Sequence, residues 1–122
     1  MKNVVIRKVS SPDAVVTVKC CDSFFSKLMG LMFSKELGQD SGLIFIEKNE
    51  TRINTAIHML FMNFDITVLW LDKNRVVVDK VLAKKWAPMY VPKKPAQFVL
   101  ELHYSKINEY SVGDQLELLE QA

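Results

Sequence analysis

Two histidines, His58 and His103, are the side chains of this sequence whose charge changes near neutral pH, so acid–base chemistry would start from them. Glu101 stands two residues before His103. On a strand that spacing places both on one face, about 7 Å apart along the chain, with Leu100 and Leu102 facing the other way. A carboxylate that orients or charges a histidine is a catalytic pairing. The same alternation is also what a half-solvated strand shows. His58 lies inside the apolar run from Ile57 to Met62, so its ring is expected to be at least half-buried. Once buried, it needs a hydrogen-bond partner or a ligand.

Cys20, Cys21, His58 and the thioethers of Met29, Met32, Met59 and Met62 are soft enough to hold Cu(I). Core packing explains the methionines more simply, because methionine fills irregular gaps. Paired C-x-x-C or H-x-x-x-H spacing is missing, so neither a metal nor a cofactor is expected. Adjacent cysteines on a strand point to opposite faces and are poorly placed to bridge each other. They read as inert buried thiols rather than an oxidised scaffold.

The most visible surface feature runs from Lys84 to Pro95. It interleaves Lys84, Lys85, Lys93 and Lys94 with Trp86 and Tyr90, and its three prolines, Pro88, Pro92 and Pro95, impose an extended, semi-rigid path. Bases among aromatics can grip a phosphate backbone while stacking on nucleobases. The plainer reading is a crossing loop whose aromatics cover the end of a β core while its lysines keep it hydrated. A pI near 8.5 falls below what a nucleic-acid domain shows, so nucleic acid is not the favoured partner.

These groups need elements to position them. The chain has 122 residues, 49% apolar and 25% charged, with a net charge of +2, which is the profile of one globular domain over residues 1–122. A chain of this mass can bury roughly two-thirds of its surface without a metal or disulfide. The charge is unevenly spread: six bases and one acid between Arg75 and Lys94 leave a local net of +5, so the rest sums to −3. Eight runs have strand periodicity: Val4 to Val9, Val15 to Cys20, Leu43 to Glu47, Ala56 to Met62, Ile66 to Leu71, Val76 to Ala83, Gln97 to His103 and Gln115 to Leu119. The link from Leu71 to Arg75 predicts an antiparallel hairpin. Its first strand, apolar on both sides, belongs in the interior of the structure rather than at an edge.

Helical spacing occurs between Asp22 and Gly30, where Phe24 and Phe25 stand over Leu28 and Met29. Shorter helical turns are expected over Ser34 to Gly38 and Ser105 to Tyr110, and a turn with positive φ at Gly113. The expected fold is therefore mainly β: an antiparallel sandwich or barrel-like domain of about eight strands, with one to three short helices at its rim. The first eight residues lack a secretory core, and no stretch approaches the length of a bilayer span, so a cytoplasmic protein without membrane contact is expected.

Gly30-Leu31-Met32, the run from Gly42 to Phe45, the Ile57–Met62 segment, Leu71-Asp72, Pro95-Ala96, Leu100-Glu101-Leu102 and Val112-Gly113-Asp114 occur in an order and spacing that resemble domain-of-unknown-function family 192 of bacteria and archaea. The resemblance spans about residues 14–118. It implies a compact, mainly antiparallel β domain, and no biochemical activity that could be transferred. Where that family has an acid two positions after a proline, this chain has Thr67, with Asp65 two positions early; no catalytic role passes to Thr67. His58 falls in a signature segment, which ranks it first among the candidates and predicts that it lies in or beside the main cavity.

Three functions follow as expectations. The first is a non-enzymatic module that binds a small molecule or peptide through His58, Met62, Trp86 and Tyr90. The second is an acid–base or hydrolytic enzyme using His58, or Glu101 with His103. The third is nucleic-acid binding through Lys84, Lys85, Lys93 and Lys94. Oligomeric state leaves no sequence signature.

Overall fold

Runs of Val, Ile and Leu bounded by polar turns become strands because branched side chains pack well on a pleated surface. The computed structural model describes residues 3–21 and 37–120. It contains β1 (Asn3–Lys8), β2 (Ser11–Cys21), β3 (Ser41–Thr51), β4 (Ile66–Leu71), β5 (Val77–Ala83), β6 (Ala96–His103) and β7 (Leu116–Glu120), with a 3₁₀ turn over Tyr104–Lys106. The helix expected over Asp22–Gly30, most of the turn expected at Ser34–Gly38, and Met29 and Met32 lie outside the described residues.

All seven strands form one sheet in the order β5-β4-β6-β3-β2-β1-β7. Every pairing is antiparallel except β2 with β3, which run parallel from Thr17 opposite Ser41 to Cys21 opposite Phe45. The sheet curls until its two edge strands meet at one end. There Val76 bridges Gln115, the Val77 amide donates to the Asp114 carbonyl at 2.9 Å, and the Gly113 amide donates to the Val77 carbonyl at 2.8 Å. Gly113 makes that approach with φ of 100°, as its turn required. Further along, the edges part and the barrel stays open. Lys80 on β5 reaches into the gap and donates to the carbonyls of Ile107 and Tyr110, both at 2.8 Å.

The inner face of the curl holds the main core: Val4, Ile6, Val16, Val18, Ile44, Leu69, Leu71, Phe98, Leu100 and Leu102. These residues alternate along their strands with a second set on the outer face, including Leu43, Ile66, Val68, Trp70 and Val99. β4 is buried at all six positions, as its two apolar sides demanded. The β4–β5 hairpin also forms. Its turn is held by Asp72, whose Oδ1 accepts from the amides of Asn74 and Val76 at 2.9 and 3.0 Å.

One expected strand does not form. Ala56–Met62 makes a single bridge, Ile57 to Tyr90, and then turns. It lies over the outer face rather than within the sheet, and Met59 and Met62 are its buried anchors. Trp70 ties the preceding residues down: its indole N–H donates to the Thr55 carbonyl at 2.7 Å, which satisfies the one polar atom of a side chain that is otherwise in the core.

Candidate binding site on the outer face

Two irregular segments, 52–65 and 84–95, cross the outer face side by side. Ile57 and Tyr90 exchange both backbone hydrogen bonds, at 2.9 and 2.8 Å, the Met59 amide donates to the Ala87 carbonyl at 2.9 Å, and the Trp86 amide donates to the Met59 carbonyl at 2.8 Å. The pair is pinned at its ends. Arg52 Nε donates to the Pro92 carbonyl at 2.9 Å, and the Lys93 amide donates to Oδ2 of buried Asp79 at 2.9 Å.

Each segment contains a tight turn, and the two turns face each other. In the first, the Met62 amide donates back to the Met59 carbonyl at 3.1 Å; in the second, the Ala87 amide donates back to the Lys84 carbonyl at 3.2 Å. The third residue of each has a left-handed backbone, Phe61 at φ 64° and Trp86 at φ 66°. That position of a turn favours glycine, because a Cβ there crowds the backbone. Here it carries two large aromatics, whose rings meet edge to face with centroids 5.2 Å apart. Both rings are open to solvent, Phe61 at 44% and Trp86 at 52%.

His58 stands at the start of the first turn and is exposed, which corrects the expectation of a half-buried ring. It needs no buried partner because its Nδ1 accepts from the Leu60 amide at 3.2 Å. In the neutral ring that leaves Nε2–H pointing outward as a donor. Its neighbours Met59 and Met62, rather than His58, fill the space beneath. The groove described along β2 is not lined by His58. Of the other two residues expected to touch a ligand, Met62 is buried and Tyr90 half-buried, with its hydroxyl accepting from the Lys84 amide at 3.0 Å. They support the turns rather than face outward. Phe61 escaped the sequence reading altogether, since nothing in a Leu-Phe-Met run announces a left-handed residue.

The basic residues are partly committed. Asp65 accepts from the Lys85 amide at 2.9 Å and from Lys84 Nζ at 3.4 Å. The backbone bond from Lys85, aided by the Lys84 ammonium, holds its carboxyl below the usual range despite slight burial. The displaced acid therefore anchors the second turn. Thr67 is fully buried and donates to the Tyr104 carbonyl at 3.2 Å.

Glu101 and His103 share a face of β6 as expected, but no hydrogen bond or ion pair joins them. His103 Nδ1 accepts from the Ser105 amide at 3.1 Å, which caps the 3₁₀ turn, and lies 2.7 Å from Ser105 Oγ. Glu101 sits between Leu43 and Val68 on the neighbouring strands. Only 9% exposed there, it has its carboxyl pushed up to about 7 by burial. Cys20 is half-buried and Cys21 buried. Among the described residues, no group of three or more His, Cys, Asp or Glu side chains is placed to hold a metal ion. No described helix is long and apolar enough to cross a membrane.

Fold and site together define a mainly β protein whose open, curled sheet carries a loop-built surface on its outer face. The chain belongs to family DUF192, described as an uncharacterised ACR family, whose model matches residues 5–118. A UPF0127 protein of Thermococcus kodakarensis is 48% identical over 84 residues, 69% of this chain and 52% of that protein, so the chain spans about half of that relative's length. A UPF0127 protein of Pyrococcus furiosus is 41% identical over 104 residues, covering 84% of this chain and 86% of the relative. Two crystal structures share the fold at 20% identity. One was solved as a candidate transcription regulator from Sinorhizobium meliloti, with a TM-score of 0.82 over 96% of this chain and 92% of that one. The other is a protein of unknown function from Novosphingobium aromaticivorans, with a TM-score of 0.80 over 94% and 83%.

Proposed function

We propose that this protein is a non-enzymatic binding module for a small molecule or peptide, and that the ligand is engaged by His58, Phe61 and Trp86, with Met62 and Tyr90 behind them. The facing turns carry this reading. Each holds a solvent-exposed aromatic in a backbone conformation that costs about 1–2 kcal/mol for a residue with a Cβ. Glycine would make either turn at lower cost, and about half of each aromatic residue stays exposed. Exposed, rigidly held aromatics beside an outward N–H donor are what a ligand surface uses: large contact area with little conformational entropy to lose.

The test is ligand screening by two-dimensional amide and indole NMR on the full chain, with short peptides and fragment-sized aromatic and saccharide compounds as probes. Binders should shift the Trp86 indole and the His58 and Phe61 amides, while the buried Trp70 indole stays in place. Trp86→Ala should abolish those shifts. Binders that shift only other residues, or bind Trp86→Ala equally well, would refute the proposal.

One observation favours a second reading, acid–base catalysis: the Glu101 carboxyl is held near neutrality, where a general acid or base works best. Its strand neighbours Leu43 and Val68 bring no second titratable group, and His103 is turned to Ser105. The reading of nucleic-acid binding through Lys84, Lys85, Lys93 and Lys94 is weakened by the ion pair of Lys84 with Asp65, which takes the backbone amide of Lys85 but not its ammonium. Fluorescent single-stranded DNA bound with steep salt dependence, and released by substitution of those lysines, would restore it.

A further inference from the structure

β2 extends beyond β3 at its beginning. The parallel ladder between them starts only at Thr17 opposite Ser41, and the Thr17 amide donates to the Asp40 carbonyl at 3.0 Å. Before Thr17, the edge of β2 on that side has no neighbouring strand among the described residues. Backbone direction alternates along a strand, so the N–H and C=O of Val15 face the same side as those of Thr17 and find no partner there. Val15 is 47% exposed. A bulge bounds this open stretch: β1 pairs Arg7 with Val15 and then Lys8 with Ser11, which throws Pro12 to Ala14 out of register. The open edge is therefore short, and it fits a short segment rather than an endless stack of strands.

The edge forms one wall of a groove of about 410 Å³, whose other wall is the chain from Lys106 to Tyr110. Among the described residues, three carboxylates line it, those of Asp13, Asp40 and Glu109, with one cation, Lys106. The Lys106 side chain is only 14% exposed, and its Nζ lies 3.6 Å from Asp40 and 3.4 Å from Glu109. Two carboxylates are in excess among these lining side chains, while the ammoniums of Lys8 and Lys80 are bound to the backbone carbonyls of Glu109, and of Ile107 and Tyr110, along the same wall. Tyr110 also lines the groove and is 5% exposed. Its hydroxyl has no hydrogen bond among the described residues, yet no described polar side-chain atom is both buried and unpaired. The hydroxyl is thus left open for a partner. Burial, with the nearby Glu109 and Asp114 carboxylates, pushes it up to about 12, so it remains a protonated donor.

We propose that the groove between the open edge of β2 at Asp13–Val16 and the turn at Lys106–Tyr110 binds a short extended peptide that carries a basic side chain. The peptide adds a strand segment to β2 through the Val15 backbone, and its ammonium or guanidinium sits among Asp13, Asp40 and Glu109. Backbone pairing supplies the register, and the acidic lining selects the charge.

The experiment uses the full chain and a fluorescein-labelled octapeptide of alternating valine and lysine, with the valine–glutamate octapeptide as its counterpart, read by fluorescence anisotropy. The lysine peptide should bind saturably and the glutamate peptide should not. Val15→Pro removes the edge donor, and Asp40→Asn with Glu109→Gln removes the selecting charge; each should weaken binding about tenfold or more. Hydrogen exchange at the Val15 amide of the unmodified protein, slowed by the lysine peptide, reports strand addition even where Val15→Pro does not fold. Equal binding of the two peptides, no saturable binding, or an unprotected Val15 amide in the bound state would overturn the proposal.

Discussion

Glu101→Gln tests the reading of the outer face as a dry surface. The Glu101 carboxyl has an ordinary value of 4.5 and is pushed up to about 7 in the fold by burial between Leu43 and Val68. The unfolded chain releases this proton near 4.5 and the folded one only near 7, so between these values the native state holds the extra proton and stability falls as pH rises. Above pH 7 the cost is complete, at about 3 kcal/mol. Glutamine has nearly the same shape and never ionises. Its amide adds an offset that depends on the partners it finds, but that offset does not vary with pH. Urea unfolding by far-UV circular dichroism, in steps from pH 4.5 to 8.5, should show Glu101→Gln gaining on the unmodified protein by up to about 3 kcal/mol, or about 10 °C in Tm. A difference that stays flat across that range would refute the burial of the carboxyl.

Trp86→Gly and Trp86→Ala both remove the exposed ring, so their difference isolates the left-handed backbone; glycine should be the more stable by about 1 kcal/mol in chemical denaturation. Equal stability would show that φ near 66° carries no cost. Gly42→Ala should destabilise by about 2 kcal/mol or more, because a Cβ there runs into the Glu101 carbonyl oxygen and comes within 2.7 Å of Leu102 Cδ2, and the unfolding midpoint measures it. Asp65→Asn should lower stability at pH 7. The Asp65 carboxyl is held below its ordinary value of 3.8, so its contribution is fully present above that value and is lost as pH falls through the folded one. The gap between the two proteins should therefore close in acid.

The strands were legible wherever the apolar pattern and the partner agreed. β4 reads as interior from its own residues, and Gly113 and Asp72 declare their turns. Ala56–Met62 misleads because apolar residues at alternate positions anchor a segment laid across a sheet as readily as a strand within it. What decides between these is the pairing with Ala87 and Tyr90, which no local pattern reveals. The burial of Glu101 was illegible for a related reason: Leu-Glu-Leu looks half-solvated until the outer face is known to hold its own apolar cluster. The parallel pairing of β2 and β3 needs a crossover of about a dozen residues or more, and the helical spacing over Asp22–Gly30 between them allows one without requiring it.

The two apolar clusters divide the labour of the fold. The inner one is built mainly by strands, each held by a ladder on one side or both, with Tyr110 added from the irregular chain after β6. The outer one is completed by Met59, Met62, Ala87 and Tyr90, from segments with few ladder bonds of their own. Met59 and Met62 are the first and last residues of the turn that contains Phe61. Burying both fixes where the chain must reverse, and each contributes roughly 2 kcal/mol of apolar transfer. That exceeds the strain at a single left-handed residue. The anchors can therefore hold Phe61 in a conformation it would not choose, and the bond from the Trp86 amide to the Met59 carbonyl carries the same constraint across to the facing turn. Stability resides beneath the turns and exposure at their tips, so a substitution at the tip can alter what the surface binds while leaving the sheet intact.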